Sequence, residues 1–252
     1  MHPALTRQDH RPWPIPATPW RWRQVWHDLL FIHWQVAPDV LRPHVPAPLT
    51  IDQRGGAAWL GLVPFHMSDV TLRGVPALPW LSAFPEMNLR TYVTFDGKPG
   101  VWFLRMDASR ALAVWTARLT LGLPYVWSSM HTTHNGDKVA YRSVRGRFVF
   151  DGRYGPTGAP VEPARESLEA FLTERYCLYT VVAGRLARME IHHPPWPLQP
   201  ADAVIAGNTI AQGLGLPGPP SQPLLHFSRR QDVVGWGVER VTSASAMVGT
   251  SP

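Results

Sequence analysis

The sequence has little lysine and almost no cysteine. Of its 24 lysine and arginine residues only Lys98 and Lys138 are lysines, and Cys177 is the one cysteine. A single cysteine excludes an intramolecular disulfide. The scarcity of lysine has two interpretations: a compositional bias toward arginine, or the use of arginine to bind anions, which the planar guanidinium grips bidentately.

Long apolar runs and nucleic-acid-binding signatures are also missing. No stretch of about 18 uncharged apolar residues occurs, and the chain does not open with a charged segment followed by an apolar run. We therefore expect a soluble, cytoplasmic protein without a membrane segment. The net charge is +6, but the arginines form no basic block and match no zinc-finger, basic-zipper or RNA-binding pattern, which argues against a nucleic-acid partner.

The familiar catalytic motifs fail or are absent. The segment "GLGLPG" (213–218) matches G-x-G-x-x-G, but Pro217, Pro219 and Pro220 forbid the helix that would have to hold a pyrophosphate. No P-loop and no G-x-S-x-G nucleophile turn occurs. The sequence therefore gives no sign of a nucleotide cofactor, and we expect no cofactor.

Two groups of histidines are candidate metal ligands. His131, His134 and Asp137 lie beside a predicted turn, whereas His192 and His193 are neighbours on a predicted strand and point to opposite faces. A metal site needs three or four converging ligands. Surface or hydrogen-bonded histidines explain both groups better, so no metal is expected.

What the chain does contain is enough apolar sequence for a large core. It has 252 residues, 45% of them hydrophobic, with 27 prolines in short clusters. The prolines favour strands joined by irregular turns over long helices. We predict an extended, Pro- and Trp-rich segment at 1–20 that packs on the body, one domain at 21–241, and a flexible tail at 242–252.

Strand patterns dominate that domain. Runs of strand character lie near 20–36, 57–67, 125–134, 138–150, 176–183, 185–193 and 223–241. A short helix is predicted over 38–42, and 167–179 begins as a helix and ends as a strand. Many strands with few helices predict a mainly-β, single barrel-like domain with helices at the rim.

The clearest hairpin spans 87–108, around the turn "DGKP". Alternation predicts that Asn88, Arg90, Tyr92 and Thr94 share one face, and that Val101, Phe103, Arg105 and Asp107 share another. A helix over 108–121 follows, capped by Asp107 or Ser109 and ended at Gly122 and Pro124.

Charged residues on these apolar faces are the candidate site. Arg105 would bind an anion bidentately, with Asn88 and Arg90 as further polar contacts and Asp107 or Glu86 as a proton-transfer group. The alternative is structural: Asp107 caps the helix, and Arg105 pairs with it or with Glu86 in a buried network. Weaker candidates are Arg118 on the predicted helix, which either lines the pocket and binds the ligand or lies at the surface, and Glu174 with Arg175, for which mutual pairing is the simpler account.

Several strings resemble a known family. "RPWPIP", "WHDLLFIHWQV", "FPEMNLRTYV", "FLTERYCLY", "IHHPPWPL" and "LLHFSRRQDVV" are similar to the YqjF-like family of uncharacterised bacterial proteins, over about residues 11–240. That family in turn resembles acetoacetate decarboxylase in fold. The resemblance implies a β-barrel-like core with an internal polar pocket, and "WQVAPDVLRPHVPAPLTID" and "LGLP" are similar to decarboxylase segments.

The resemblance does not extend to the decarboxylase's chemistry. Its Schiff-base lysine pair falls on Leu119 and Thr120, and its pocket arginine falls on about His27, while Arg105 matches an arginine of the equivalent strand. Neither Leu119 nor Thr120 can form an imine. Lys98 sits at a predicted turn, where water keeps an ammonium charged. We therefore expect no Schiff-base chemistry.

Two functions remain open at this point. One is a lyase or hydrolase acting on a small organic acid, in which Arg105 orients the anion and Asp107, Glu86 or His27 moves protons. The other is a non-catalytic protein that binds an aromatic or lipid-like compound. A catalytic pocket should hold an acid or base with a strongly shifted pKa, whereas a binding module needs only apolar walls. The sequence also leaves open a homo-oligomer.

Overall fold

The computed structural model describes residues 2–77, 82–111 and 122–241. Strands dominate them, in agreement with the predicted fold class. The thirteen strands are β1 (Trp22–Val36), β2 (Thr50–Ile51), β3 (Ala58–Leu72), β4 (Phe84–Phe95), β5 (Lys98–Ala108), β6 (Tyr125–Trp127), β7 (Ser129–Asn135), β8 (Lys138–Arg145), β9 (Phe148–Pro156), β10 (Cys177–Val182), β11 (Arg185–His192), β12 (Gln199–Asn208) and β13 (Leu224–Arg240). Two short helices, α1 (Pro38–Leu41) and α2 (Leu168–Thr173), and 3-10 turns at Pro3–Leu5, Arg42–His44 and Gln212–Leu214 complete the description.

Seven strands close into a barrel in the order β1-β3-β4-β5-β10-β11-β13, and β13 pairs again with β1. Only β5 and β10 pair in parallel around this ring. They meet at Gly100, where an added Cβ would lie 2.7 Å from Cys177 Sγ and 2.8 Å from the Cys177 carbonyl oxygen. A larger residue at position 100 would push β10 away, so this glycine permits the barrel to close.

A second antiparallel sheet, β12-β9-β8-β7, continues from β13 and lies against the outside of the barrel. The core between them contains alternate residues of the barrel strands, including Leu30, Ile32 and Leu89, together with Tyr141 and Phe150 from the second sheet. Because strand residues alternate between faces, the neighbours of these barrel residues point into the barrel. The wall of the barrel is therefore buried on its outer side and lines an interior on its inner side.

The predicted hairpin around "DGKP" is confirmed. Asp96 and Gly97 take φ values of 51° and 72°, the left-handed pair that a two-residue turn between antiparallel strands requires. The predicted helix over 38–42 and the helix-to-strand change in 167–179 are also present, as α1, α2 and β10.

Other elements differ from the prediction. The single strand predicted over 138–150 is wrong, because Gly146, with φ 56°, turns the chain between β8 and β9. Strand β12 was not predicted. Residues 112–121 of the predicted helix and the predicted tail at 242–252 lie outside the described residues. The N-terminal segment places Ala4 against Val234 and Trp236 of β13.

A β-bulge overturns the predicted shared face of Val101, Phe103, Arg105 and Asp107. In the pairing of β4 with β5, Leu89 lies opposite Arg105 and Arg90 lies opposite Phe103, which leaves Leu104 without a partner position. One extra residue reverses the inside–outside alternation of a strand. Val101 and Phe103, which precede Leu104, therefore face the opposite side of the wall from Arg105 and Asp107, which follow it.

Candidate functional site

A cavity of about 540 Å³ lies within the barrel, lined by residues of β1, β3, β4, β5, β10 and β11. Its size falls in the ordinary range of small-molecule sites. Most of its surface is apolar and aromatic. Its charged or strongly polar groups include Glu86, Asn88, Arg90, Tyr125, Arg175 and His193.

Strand β4 supplies the central row of polar groups. Phe84, Glu86, Asn88 and Arg90 are alternate residues of one regular strand, and all four line the cavity. The intervening residues Met87 and Leu89 pack outward into the core under the second sheet. Three predicted site residues, Glu86, Asn88 and Arg90, are therefore brought together by simple strand alternation.

Glu86 is a buried carboxyl group whose partner is a phenol. The Tyr125 hydroxyl donates to Glu86 Oε2 at 2.8 Å. Burial raises the pKa of Glu86 to about 8, with a smaller upward contribution from Asp107, while hydrogen bonds from Tyr125 and Asn88 oppose the shift. The carboxyl group is consequently protonated at neutral pH and can donate a proton into the cavity.

Arg90 is a guanidinium without a counter-charge. One Nη donates to the Leu172 carbonyl at 3.1 Å, while the buried Nε has no partner among the described residues. In that part of the chain no carboxylate lies within 4.0 Å of Arg90. The buried Asn88 Oδ1 is likewise unpartnered. Arg90 is half-buried, and its guanidinium could bind an anion within the cavity that it lines.

Arg175 contrasts with Arg90, because its charge is balanced. Its Nη1 lies 2.6 Å from Asp52 Oδ2, and its Nε donates to the Phe171 carbonyl at 2.7 Å. The expected pairing of Arg175 with Glu174 is wrong: Glu174 accepts hydrogen bonds from Tyr176 and from the Trp196 amide instead.

His193 is the one histidine among the described cavity-lining residues. Burial lowers its pKa to about 3, so the ring is neutral. Its Nδ1 lies 2.7 Å from the Pro194 carbonyl oxygen and 3.3 Å from Gln231 Nε2. Sequence reasoning missed His193, Arg175 and Tyr125 as cavity residues.

Arg105 and Asp107 lie on the outer side of the wall, away from the cavity. Arg105 donates from Nε and Nη2 to the two carboxylate oxygens of Asp107 at 2.6 and 2.7 Å, and its Cζ lies 3.7 Å from the centre of the Phe148 ring on β9. Ser128 donates a further hydrogen bond to Asp107. Asp107 lies within β5, and its carboxylate is held by these partners. Most of the helix that it was predicted to cap lies outside the described residues.

The other predicted site residues are also outside the cavity or undescribed. His27 Nε2 lies 2.8 Å from the Ser68 hydroxyl, on the face of β1 opposite to the cavity-lining Trp26. Burial, together with the charge of Arg230, lowers the pKa of His27. Arg118 lies outside the described residues.

Both lysines of the chain are described, and neither lines the cavity. Lys98 does not sit in water as expected. Its Nζ donates to Glu190 Oε1 at 2.7 Å and lies 4.9 Å from the centre of the Trp13 ring. Lys138 is at the surface and pairs with Asp202. The cavity therefore has no lysine that could form an imine with a bound molecule.

The described residues hold no cluster of three or more side chains suited to a metal ion. His134 instead lies 2.9 Å from Asp28. Within the same residues no helix has the length and apolarity needed to cross a membrane.

Comparison with known proteins places the chain in a family. Residues 23–232 match DUF2071, described as "Uncharacterized conserved protein". The chain belongs to this family. It is also 42% identical over 229 residues to the uncharacterized protein YqjF of Bacillus subtilis, covering 90% of this chain and 95% of that protein. The predicted YqjF-like membership is confirmed.

Solved structures support the barrel fold. The enduracididine biosynthesis enzyme MppR, in complex with pyruvate, superposes with a TM-score of 0.64 at 15% identity, over 90% of this chain and 92% of its own. Acetoacetate decarboxylase from Legionella pneumophila superposes with a TM-score of 0.63 at 13% identity, over 93% and 94%. At these identities the likeness establishes the acetoacetate decarboxylase-like fold alone.

Proposed function

We propose that the protein binds a small organic acid in the barrel cavity and acts on it by proton transfer, as a lyase or hydrolase without a Schiff base. The observation that carries the proposal is Glu86, a carboxyl group with a pKa near 8 that lines the same cavity as the unpaired Arg90. An acid and an anion-binding cation that line one cavity are the parts that such chemistry needs.

Four polar residues of the cavity have a role in this proposal. Arg90 holds the carboxylate of the ligand bidentately, and Asn88 is the polar group next to it on β4. Glu86 delivers its proton to the ligand and Tyr125 orients the Glu86 carboxyl group through their hydrogen bond. Arg105 and Asp107, although first considered as site residues, hold β5 against the second sheet.

The structural neighbours are consistent with this class of ligand. MppR was solved with pyruvate and, separately, with HEPES buffer bound. Both are anionic organic molecules. Neither lysine of this chain lines the cavity and the identity to MppR is 15%, so we transfer from MppR only the class of ligand, a small organic anion.

The first experiment is a thermal-shift screen of wild type and Arg90→Gln against short carboxylic and keto acids. A ligand that binds the native state raises the melting temperature by mass action. We expect acids to stabilise wild type and to lose this effect in Arg90→Gln. Arg142→Gln, at an exposed position of the second sheet, is the matched control and should respond like wild type. Equal stabilisation of Arg90→Gln would contradict the anion site.

Catalysis is tested with the acids that bind. Glu86→Gln keeps the size and a hydrogen-bonding carbonyl oxygen but cannot cycle a proton, so we expect it to bind the acid and to turn it over at least 100-fold more slowly. Conversion is followed by NMR of the ligand. Binding without turnover in wild type would favour a non-catalytic binding protein, the alternative that the largely apolar cavity wall supports.

We expect no covalent adduct with a lysine. Wild type incubated with a β-keto acid and borohydride should keep its mass, because Lys98 is held by Glu190 and Lys138 lies at the surface. Intact-mass spectrometry reads the outcome. A reduced adduct, mapped by peptide mass to either lysine, would overturn this part of the proposal. Acetoacetate decarboxylase treated in parallel is the positive control.

A further inference from the structure

We infer that the organic acid carries a long apolar body, aromatic or alkyl, which fills the part of the cavity away from Arg90. This inference rests on the proposed function for the position of the acid group. It concerns the part of the ligand other than the acid group. The first observation that supports it is the length of the cavity. Phe84 and Arg90 both line it and lie six residues apart on β4, which corresponds to about 20 Å.

A continuous aromatic wall leads away from the guanidinium. Arg90 Cζ lies 5.6 Å from the centre of the Phe31 ring, and Phe31 meets Trp196 edge-on at 5.0 Å. Trp196 stacks on Trp26 at 5.7 Å with an interplanar angle of 13°, and Trp26 meets Phe65 at 6.0 Å. All of these rings line the cavity. A two- to four-carbon acid at Arg90 would leave most of this apolar surface against water, which is unfavourable.

The charge of the site indicates a single acid group. Glu86 is neutral at neutral pH and Arg175 is balanced by Asp52, which leaves Arg90 as the uncompensated charge among the described lining residues. A monocarboxylate neutralises it, whereas a second anionic group would meet the apolar wall without a partner.

The apolar end of the cavity reaches the surface at the end of β3. Leu72 lines the cavity and is also 62% exposed. Leu72 lies beyond Met67, which is paired with Phe84, and so is far along the wall from Arg90. The cavity wall therefore continues past Phe84 toward a mouth beside Leu72, and the apolar body extends from Arg90 in that direction.

The test is a calorimetric titration with straight-chain acids from butanoate to decanoate, with 3-phenylpropionate, and with the corresponding alcohols. We expect Kd to fall by roughly threefold to fourfold for each added methylene until the cavity is full. The alcohols should bind at least tenfold more weakly than the acids, and Arg90→Gln should remove this preference for acids.

A wall variant locates the tail. Trp26→Ala should weaken decanoate at least fivefold and leave butanoate unchanged, whereas Trp127→Ala, at an exposed tryptophan of β6 that does not line the cavity, should change neither. Butanoate binding as tightly as decanoate would overturn the apolar body while the anion site stands. Alcohols binding as tightly as acids, with no effect of Arg90→Gln, would overturn the anion site while the apolar body stands. No binding by any compound would overturn both.

Discussion

Replacing Asp107 by alanine is expected to lower the free energy of unfolding by about 3–5 kcal/mol. The substitution leaves the Arg105 guanidinium buried under β9 without the carboxylate that accepts two of its hydrogen bonds. It also removes the acceptor for the Ser128 hydroxyl. An uncompensated buried charge costs far more than the pair contributed. Urea unfolding of wild type and Asp107→Ala, followed by tryptophan fluorescence, measures the difference.

The chain offers a matched control on β13. Arg230 and Asp232 are also two residues apart, and their side chains make the same two-bond contact, at 3.1 and 3.0 Å, but Arg230 is half exposed. Asp232→Ala should therefore cost no more than about 1 kcal/mol. Equal costs at the two sites would contradict a buried structural role for Asp107.

A double substitution separates the charge from the packing. In Asp107→Ala with Arg105→Ala no unpaired guanidinium remains, so the double variant should lose clearly less than the sum of the two single losses. Such coupling belongs to a structural pair. The Asp107 variants should also keep the thermal response to any acid that stabilises wild type, because Asp107 does not line the cavity.

The hairpin of β4 and β5 contains one prediction that is confirmed and one that is wrong. Its turn is confirmed, whereas the shared face of Val101, Phe103, Arg105 and Asp107 is wrong. The turn is encoded locally, since Asp96 and Gly97 are the residue types that accept positive φ. The bulge at Leu104 has no such local signal. It is fixed by the register between β4 and β5, which depends on contacts across strands, and it moves Arg105 from the cavity side to the outer side.

Residues of β4 were predicted better than those of β5, because β4 alternates without a bulge from Phe84 to Arg90. Alternation alone placed Glu86, Asn88 and Arg90 together, and all three line the cavity. It could not distinguish which face was the interior, since both faces of the barrel wall are buried.

The remaining cavity residues depend on contacts distant in sequence. Tyr125 reaches Glu86 because β6 pairs in parallel with the end of β5. Arg175 enters the site because α2 ends there, and Asp52, which balances its charge, is 123 residues away in sequence. The sequence alone shows that His192 and His193 are adjacent, but only the closed barrel shows that His193 faces the cavity.

Glu86→Gln is expected to change the pH dependence of stability strongly. In the folded protein the pKa of Glu86 is raised to about 8, above its ordinary value of 4.5. Because the pKa is higher in the folded state, folding is most favourable at pH values where the carboxyl group is protonated in both the folded and the unfolded protein. This contribution is complete below about pH 4.5, declines as the pH rises, and is fully lost above about pH 8. Glutamine remains neutral throughout and has no such loss.

Relative to wild type, Glu86→Gln should therefore gain about 3 kcal/mol of unfolding free energy between pH 5 and pH 8, since each pH unit in this window contributes up to about 1.4 kcal/mol. Urea unfolding at several pH values measures the gain, and taking the difference removes contributions from groups shared by both proteins. Glu166→Gln, at an exposed position, should show a flat difference from wild type. A flat difference for Glu86→Gln as well would mean that Glu86 is ionised at neutral pH, and Glu86 would then have no proton to donate to the ligand.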